Sequence, residues 1–426
     1  MRTTVLLVVI AMLSSAMLSS APLAAAADAG DYWPQFRGPG GNGHSDATGL
    51  PLRWSETENV RWKTALHDRG WSSPVIWGDQ IWMTTALASG HQMFALCVDR
   101  NTGKIVHDIK LFDIEKPGFC PHLNSYASPT PAIEQARVYL HFGSYGTVCL
   151  DSKTGETLWS RRDLPCDHWR CPGSSPILHG DLLFVTFDGF DTQYVVALDK
   201  KTGKTVWKKD RGYDYRDNSN GDIKKAFSTP QVVRFGGREL LISPSAAATS
   251  AYDPRTGEEL WRVRHGGMNA AARPLFGHGM VYVATGGGGW QLFAVRPDGN
   301  GDVTDSHVAW KFNRGVPSRA SQLLVDDLIY MVSNGGVATC VEAKTGQSVW
   351  KDRLGEDYCA SPLYVGGRIY FFSQQGTATV IKPGRKFKVL AVNKLDEGCM
   401  ASPAVVGKSL FLRTKTHLYR IEQPAK

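Results

Sequence analysis

The sequence predicts an all-β protein, an eight-bladed β-propeller of four-stranded antiparallel blades that is closed by an N-terminal strand joining the last blade. Three observations predict this fold class. One unit recurs along the chain at a period of roughly 40 to 50 residues, which is typical of propeller blades. Each unit contains several short apolar stretches bounded by Gly, Pro or Asn, the pattern of strands rather than helices. The last unit is one strand short, and a matching strand occurs near the start of the chain.

Each unit opens with a short polar motif, usually Ser or Thr before Pro. The clearest unit begins at Ser174, and its third strand ends at Asp199 before the turn Thr202-Gly203. Gly supplies the positive φ that a tight hairpin needs, and the preceding Asp can accept hydrogen bonds from the turn backbone. The predicted openings are Ser73-Pro74, Ser128-Pro129, Ser175-Pro176, Thr229-Pro230, Arg273-Pro274, Ser321-Gln322, Ser361-Pro362 and Ser402-Pro403.

Most units close with a strand that carries Trp. We predict that this large ring fills the gap between neighbouring sheets, while the small Ala of an Ala-x-Asp element lets the sheets approach each other. Cys97, Cys149 and Cys340 replace that Ala and are therefore predicted to be buried small residues. The predicted closing tryptophans are Trp62, Trp159, Trp207, Trp261, Trp310 and Trp350.

The last unit supplies strands at Ala404–Val406, Ser409–Arg413 and His417–Ile421 only. The segment from Asn59 to Lys63 matches a closing strand, and we expect it to complete this blade, because such closure leaves no large exposed sheet edge. The predicted organisation is therefore a single propeller over residues 58–426, preceded by an extension over residues 28–57.

Residues 1–27 have the pattern of a secretory signal peptide. Arg2 precedes an apolar run from Val5 to Leu13, and small residues end at Ala27. A retained membrane anchor is the alternative, which the serines after Leu13 disfavour. The prediction is a cleaved signal, no transmembrane segment after cleavage, and a periplasmic or secreted protein. No cysteine precedes Cys97, so we expect no lipid anchor.

The net charge of +8 is small for 426 residues, and Lys and Arg are scattered among nearly as many carboxylates. This pattern indicates a solvated surface, so we expect no nucleic-acid partner. We also expect a monomer.

The unusual polar and aromatic residues collect on one face of the predicted propeller. We call the face that carries the Thr-Gly turns the turn face. The opposite face carries the links between blades and the loops between second and third strands, and we call it the loop face. Binding sites in propellers commonly lie around the channel mouth. The candidate ligand-binding residues are His122, Asn124, Tyr126, His168, Arg170, Tyr215, Arg216, Trp290, Arg319 and Tyr358.

Five cysteines fall in the links of the loop face. In an oxidising compartment they suggest disulfides, with Cys166–Cys171 and Cys359–Cys399 as the predicted pairs and Cys120 left over. The alternative is a metal site, although the spacing matches no standard zinc pattern; its ligands would be Cys120, His122, Cys166, His168 and Cys171.

A second metal candidate lies in a polar turn of the fifth unit. Asp298, Asn300 and Asp302 have the alternating oxygen spacing of a calcium loop, but Val303 and Ala309 occupy the positions where an EF-hand has Gly and Glu. The alternative to a calcium site is a longer polar turn.

The element Ala-x-Asp-x-x-Thr-Gly-x-x-x-Trp resembles the tryptophan docking motif of the pyrroloquinoline-quinone (PQQ)-like propeller family, from about Trp33 to Ile421. The stretch Trp33 to Gly43 is similar to the N-terminal segment of an exported bacterial subgroup. The family includes quinoprotein dehydrogenases and non-catalytic members such as the propeller lipoprotein of the outer-membrane β-barrel assembly machinery. This chain lacks the adjacent cysteines of the alcohol dehydrogenases, a Cys-x-x-Cys-His haem motif and the acylated cysteine of the lipoprotein.

These departures favour a non-catalytic binding or scaffold protein that takes a protein, peptide or glycan partner on its loop face. The alternative implied by the resemblance is a PQQ- and calcium-dependent dehydrogenase that oxidises an alcohol or sugar. In that reading Arg319, Arg170 or Arg216 would bind the quinone carboxylates, and calcium would act as a Lewis acid.

Overall fold

The computed structural model describes residues 32–215 and 217–424, and these form eight β-sheets arranged as a propeller. The predicted fold class is confirmed. Within the described ranges the one helical element is the 3-10 turn Gly221–Ile223, and no helix is long and apolar enough to cross a membrane. The predicted signal peptide, residues 1–27, lies outside the described residues.

Each blade is an antiparallel sheet of four strands, which follow one another in order from the axis to the periphery. The inner strands of blades 1 to 8 are Val75–Trp77, Ala132–Glu134, Ile177–His179, Gln231–Phe235, Leu275–Gly277, Leu323–Val325, Leu363–Val365 and Ala404–Val406. The second strands are Gln80–Ala86, Arg137–His141, Leu182–Asp188, Arg238–Pro244, Met280–Ala284, Leu328–Val332, Arg368–Phe372 and Ser409–Arg413. The third strands are Gln92–Asp99, Thr147–Asp151, Gln193–Asp199, Ala248–Tyr252, Leu292–Val295, Val337–Glu342, Thr377–Ile381 and His417–Ile421. The outer strands are Ile105–Asp113, Thr157–Arg161, Thr205–Asp210, Glu259–Arg264, Val308–Phe312, Ser348–Arg353, Val389–Lys394 and Val60–Ala65.

Three short strands extend individual blades. Tyr32–Trp33 pairs antiparallel with the inner strand of blade 1, and His44–Ser45 pairs parallel with the inner strand of blade 7. Gly301–Asp302, from the polar turn of blade 5, pairs parallel with the outer strand of blade 4.

The ring closes where the sequence predicts. Val60–Ala65 pairs antiparallel with His417–Ile421, which places Trp62 opposite Arg420. The three C-terminal strands have the predicted bounds. Closure therefore joins the first outer strand to the last blade and covers the edge of His417–Ile421.

Six tryptophans on outer strands connect their blade to the next one, at six of the eight junctions of the ring. The indole N–H of Trp159 donates to Lys200 O at 3.0 Å, in the turn of blade 3. A Cβ on Gly203 of that turn would lie 2.7 Å from the Trp159 ring, so the turn needs Gly for space as well as for its φ of +71°. The other five indole bonds run from Trp62 to Arg100 O, Trp207 to Pro254 O, Trp261 to Pro297 O, Trp310 to Ala343 O and Trp350 to Gly384 O.

A ring of hydrogen bonds encircles the axis at the blade openings. In seven of the eight junctions the backbone N–H at the opening donates to the hydroxyl of the same position in the next blade, at 2.9 to 3.1 Å. The hydroxyl ring consists of Ser73, Thr130, Ser175, Thr229, Ser321, Ser361 and Ser402. The break is Arg273, which has no hydroxyl to offer Thr229.

The opening predicted for blade 2 is wrong by two residues. Thr130-Pro131 directly precedes the inner strand Ala132–Glu134, and the Thr130 hydroxyl accepts from Ser73 N. Ser128 instead donates to the side chain of Asn124. Two hydroxyl–Pro pairs follow each other here, and only the neighbouring blade distinguishes them.

Trp207→Ala should lower the free energy of unfolding by about 3–5 kcal/mol, because it removes a buried ring and the bond to Pro254. Urea titration followed by circular dichroism measures this. Val206, half-exposed on the same strand, gives the matched control, and Val206→Ala should stay within about 0.5 kcal/mol of the parent protein. Equal losses for the two variants would contradict the assigned packing.

Candidate functional site

The N-terminal extension runs through the central channel. Its backbone pairs with the inner strand of blade 1 at Tyr32–Trp33 and with that of blade 7 at His44–Ser45. Between these points Pro34 O accepts from Ile133 N of blade 2, and Gly40 O accepts from the Gln231 side chain of blade 4. One short segment can contact inner strands on opposite sides of the ring only if it lies at the axis. Residues 32–45 therefore form an axial plug.

The plug turns back on itself between Phe36 and Gly43, and Gly is required at this turn. Gly41 has φ +64°, and a Cβ there would lie 2.4 Å from the guanidinium of Arg273. Only Gly meets both constraints. The turn closes the channel and leaves a pocket on the loop face with Phe36 among its lining residues.

The loop face contains a cavity of about 430 Å³ around the axis. Its lining is mainly apolar and neutral polar. Six hydroxyls of the hydroxyl ring face it, and the links between blades supply its walls. The apolar side chains include Phe36, Trp71, Leu123, Phe227, Met268 and Met400.

Three charged groups line the cavity, and two of them form a pair. Arg170 Nη2 donates to Asp222 Oδ2 at 2.7 Å, and this contact lowers the pKa of the Asp222 carboxyl below its ordinary value. Trp169 also donates to Asp222 at 3.2 Å. The remaining charge is Arg319, which is half-buried and has no hydrogen-bond or ion-pair partner among the described residues. The cavity therefore offers one unpaired positive charge.

Aromatic side chains are exposed on the loop face. Phe119 is 68% exposed, Trp290 49% and Trp169 37%, while the other large exposed apolar residues are all aliphatic. Trp169 and Trp290 both adopt positive φ, at 56° and 52°, a conformation that is uncommon for bulky residues. The surrounding structure holds these two rings in strained backbone positions, which is a feature of functional sites.

A buried polar cluster lies outside the cavity lining. His168 Nε2 accepts from Ser144 N at 2.8 Å, which leaves Nδ1 to carry the proton of the neutral ring. Nδ1 lies 3.2 Å from Lys225 Nζ and 3.7 Å from Cys166 Sγ. Burial lowers the pKa of both His168 and Lys225.

The structure brings three predicted ligand residues to the cavity: Asn124, Arg170 and Arg319. Tyr126, His168 and Tyr358 are buried and do not line it. His122 is exposed, Trp290 is exposed and Tyr215 packs against Tyr213, all outside the lining. Arg216 lies outside the described residues.

Sequence reasoning missed Phe36, Asp222 and the apolar residues of the links. Phe36 stands in the Gly- and Pro-rich stretch from Trp33 to Gly43, whose composition indicates tight turns but not a position on the axis. The opposite charges of Asp222 and Arg170 are compatible with an ion pair. Their spacing in the sequence does not predict one.

The predicted disulfides Cys166–Cys171 and Cys359–Cys399 are not formed. Cys171 bonds to Cys120, with a Cα–Cα distance of 5.1 Å, and Cys166, Cys359 and Cys399 are free thiols. The bond joins two consecutive links, which are distant in sequence but adjacent on the loop face. It also removes Cys120 and Cys171 from any metal site. Cys97, Cys149 and Cys340 are buried as free thiols.

The candidate calcium turn uses its oxygens within the protein. Asp302 Oδ2 accepts from Arg264 at 2.7 Å, and Oδ1 accepts from Thr304 N at 3.1 Å. Asp298 lies 3.7 Å from His307 instead. No cluster of three His, Cys, Asp or Glu side chains that could bind a metal occurs in residues 32–215 and 217–424.

Comparison with known families identifies the chain. A family model described as outer membrane protein assembly factor BamB matches residues 54–243 and 191–424, which together run from 54 to 424 of the 426 residues. The chain belongs to this family. A search of curated proteins found no match.

Solved structures of BamB and of quinoprotein dehydrogenases share the fold. BamB from Moraxella catarrhalis has a TM-score of 0.58 at 13% identity, with 85% of this chain and 99% of that chain covered. A europium-containing methanol dehydrogenase has 0.65 at 12% identity, with 90% and 89% covered. Quinohemoprotein alcohol dehydrogenase from Comamonas testosteroni has 0.66 at 11% identity, with 93% and 81% covered. This BamB-family chain is therefore similar in fold to both groups.

Replacing Cys120 with Ser should lower the free energy of unfolding by about 4 kcal/mol, the chain-entropy value for a 51-residue separation. Thermal unfolding measures this, with Cys166→Ser as the control. Alkylation in denaturant without reductant, followed by peptide mapping, should find Cys120 linked to Cys171. A linked peptide pair of Cys166 and Cys171 would contradict the structure.

Stability should fall in acid because His141 is buried. Its Nδ1 lies 2.8 Å from Thr147 Oγ1, and burial lowers its pKa from 6.5 to about 3. Below pH 6.5 the unfolded chain binds a proton that the folded chain does not, so the free energy of unfolding decreases by up to about 1.4 kcal/mol per pH unit down to pH 3.

His141→Gln keeps a polar group beside Thr147 but cannot take up the proton. Its unfolding free energy, measured by urea titration from pH 7 to 4, should therefore depend less steeply on pH than that of the parent protein. The same substitution at exposed His122 is the control. Parallel pH profiles for parent and His141→Gln would contradict the assignment.

Proposed function

We propose that this protein is an exported binding or scaffold protein whose loop-face cavity takes a peptide segment of a protein partner. The predicted signal peptide over residues 1–27 and the family membership support an extracytoplasmic location, and we expect the chain to act as a monomer. The observation that carries the proposal is an apolar cavity on the loop face with exposed aromatic rings on that face and one unpaired arginine.

The chemistry of the lining indicates the kind of segment. Apolar side chains such as Met268 and Phe227 suit aliphatic or aromatic groups, and Met adapts to varied shapes. Exposed Trp169 and Trp290 are residue types that dominate binding energy in interfaces. Arg319 suits a carboxylate, because guanidinium binds carboxylates in bidentate geometry. The partner segment is therefore apolar with an acidic group.

The residues around the cavity do not fit the PQQ- and calcium-dependent alternative. The cofactor needs several cationic contacts for its carboxylates and oxygen ligands for the metal. Asp222 is the one carboxylate among the described lining residues, and Arg170 occupies it. Arg319 alone remains for an anionic cofactor.

A random peptide library displayed on phage, panned against residues 28–426, tests the proposal. The selected peptides should carry aliphatic or aromatic residues and an Asp or Glu. Arg319→Gln should weaken a synthetic selected peptide by about tenfold or more in calorimetry. Arg255→Gln, an exposed arginine on the turn face, should leave the affinity unchanged.

A cavity-filling variant separates the cavity from the rest of the surface. Ala271 lines the cavity, and Ala271→Trp should abolish binding of the same peptide, whereas Leu158→Trp on an exposed outer strand should not. Unchanged affinity in Ala271→Trp would refute the proposal. Stoichiometric binding of PQQ with calcium that Arg319→Gln abolishes would favour the dehydrogenase reading instead.

A further inference from the structure

Two arginines are buried side by side at the axis, where the plug meets blades 5 and 6. Arg37 belongs to the plug and is 2% exposed; Arg273 opens blade 5 and is 1% exposed. Arg273 is also the position that breaks the hydroxyl ring. The seven remaining junctions each use a Ser or Thr hydroxyl. Arg273 therefore places a buried cation where the other blades have a small uncharged group.

Both guanidiniums donate only to neutral oxygens. Arg37 Nη2 donates to Asn42 O at 2.6 Å and to Gln322 O at 2.7 Å. Arg273 Nη1 donates to Phe36 O at 2.6 Å, and its Nη2 donates to the Gln35 side chain at 3.1 Å. Neither forms an ion pair with any carboxylate of the described chain. Two positive charges are thus buried together without a counter-charge.

Buried polar atoms remain without partners at the same place. The donors are Nε and Nη1 of Arg37, Nε of Arg273 and Nε2 of Gln322, and the one acceptor is Oε1 of Gln322. An unpaired buried donor is destabilising, and more so when it is charged. Four such donors in one location indicate a group that accepts from them.

Deprotonation of Arg37 and Arg273 does not remove the buried positive charge. Burial lowers the pKa of both arginines to about 9, and the repulsion from Arg37 adds to the effect on Arg273. Guanidinium nevertheless stays protonated at neutral pH. Water can accept from the free donors but does not neutralise the charge. An anion does both.

Another buried arginine shows how this protein balances such a charge. Arg211 is fully buried and donates to both oxygens of Asp188, at 2.6 and 2.9 Å. Arg413 is buried without an acid, but its Nη1 donates to three oxygens of Ser72 and Thr84. Nε of Arg413 also has no partner. Arg37 and Arg273 differ from Arg211 in having no acid, and they differ from both Arg211 and Arg413 in having a like charge as neighbour.

We propose that a small monovalent inorganic anion, chloride, binds at the axis between Arg37, Arg273 and Gln322. The bound anion fixes the plug to blades 5 and 6. It thereby holds Phe36, which lines the loop-face cavity, in place. The site is separate from the cavity and does not depend on what the cavity binds.

Chloride should stabilise the protein specifically. The melting temperature in sodium chloride should exceed that in sodium gluconate of the same ionic strength by roughly 2 °C, since a ligand of the folded state stabilises it by mass action. Arg273→Ser should remove this difference, and it restores the residue type that other blades carry at this position. Arg319→Ser, which changes the cavity arginine, should retain it.

Bromide replaces chloride as a probe that diffraction detects directly. Crystals of the parent protein soaked in sodium bromide should give an anomalous peak at the axis within hydrogen-bond distance of both arginines. No peak there, or a chloride effect on the melting temperature that persists in Arg273→Ser, would overturn the proposal. The diffraction test needs no variant, so a misfolded Arg273→Ser does not prevent a decision.

Discussion

The contact of the closing tryptophans with the turns of the next blade, which in four of the six cases is packing against a glycine, sets the geometry of the ring. The ring of Trp159 touches Gly203 so closely that no Cβ fits, and its indole N–H reaches Lys200 O in the same turn. Repeated around the propeller, this contact fixes the spacing between blades at the periphery. The hydroxyl ring fixes it near the axis. Between them these two sets of contacts determine how wide the central channel is.

The plug fills the central channel, and the contacts it makes there constrain its own turn. Its turn depends on Gly41 because Arg273 lies against the position of the missing side chain. The plug then determines how deep the loop-face cavity is. The site is therefore a product of two parts of the chain, the links that supply its walls and an N-terminal segment that closes the channel.

The blades and the closing strand could be predicted from the sequence because they depend on local patterns. The strand bounds of the last blade follow from apolar runs between glycines, and Val60–Ala65 matches a closing strand by its Trp62. Arg170 and Arg319 were predicted near the axis because links on one face must converge there. The opening of blade 2 was misplaced because Ser128-Pro129 and Thr130-Pro131 fit the pattern equally well. Only the N–H of Ser73, from the neighbouring blade, selects Thr130.

The plug, the disulfide and the Arg170–Asp222 pair could not be predicted, for one physical reason. Each depends on which links are adjacent in space, and a repeat pattern does not encode that. Cys120 and Cys171 illustrate this, because they are 51 residues apart and still lie on neighbouring links. Composition marked the stretch from Trp33 to Gly43 as a series of turns, but its position follows from contacts with inner strands across the ring.

The path of the plug has a consequence for the order in which the molecule assembles. Residues 32–45 precede every blade in the chain, yet they contact inner strands of blades 1, 2, 4 and 7 and the openings of blades 5 and 6. The binding surface of this segment is not complete until the chain has been synthesised beyond Leu363–Val365. His44 and Ser45 must therefore stay unpaired while about 300 later residues fold, and pairings so distant in sequence are slow to form. Completion of the axis is a late step that the C-terminal half of the chain controls.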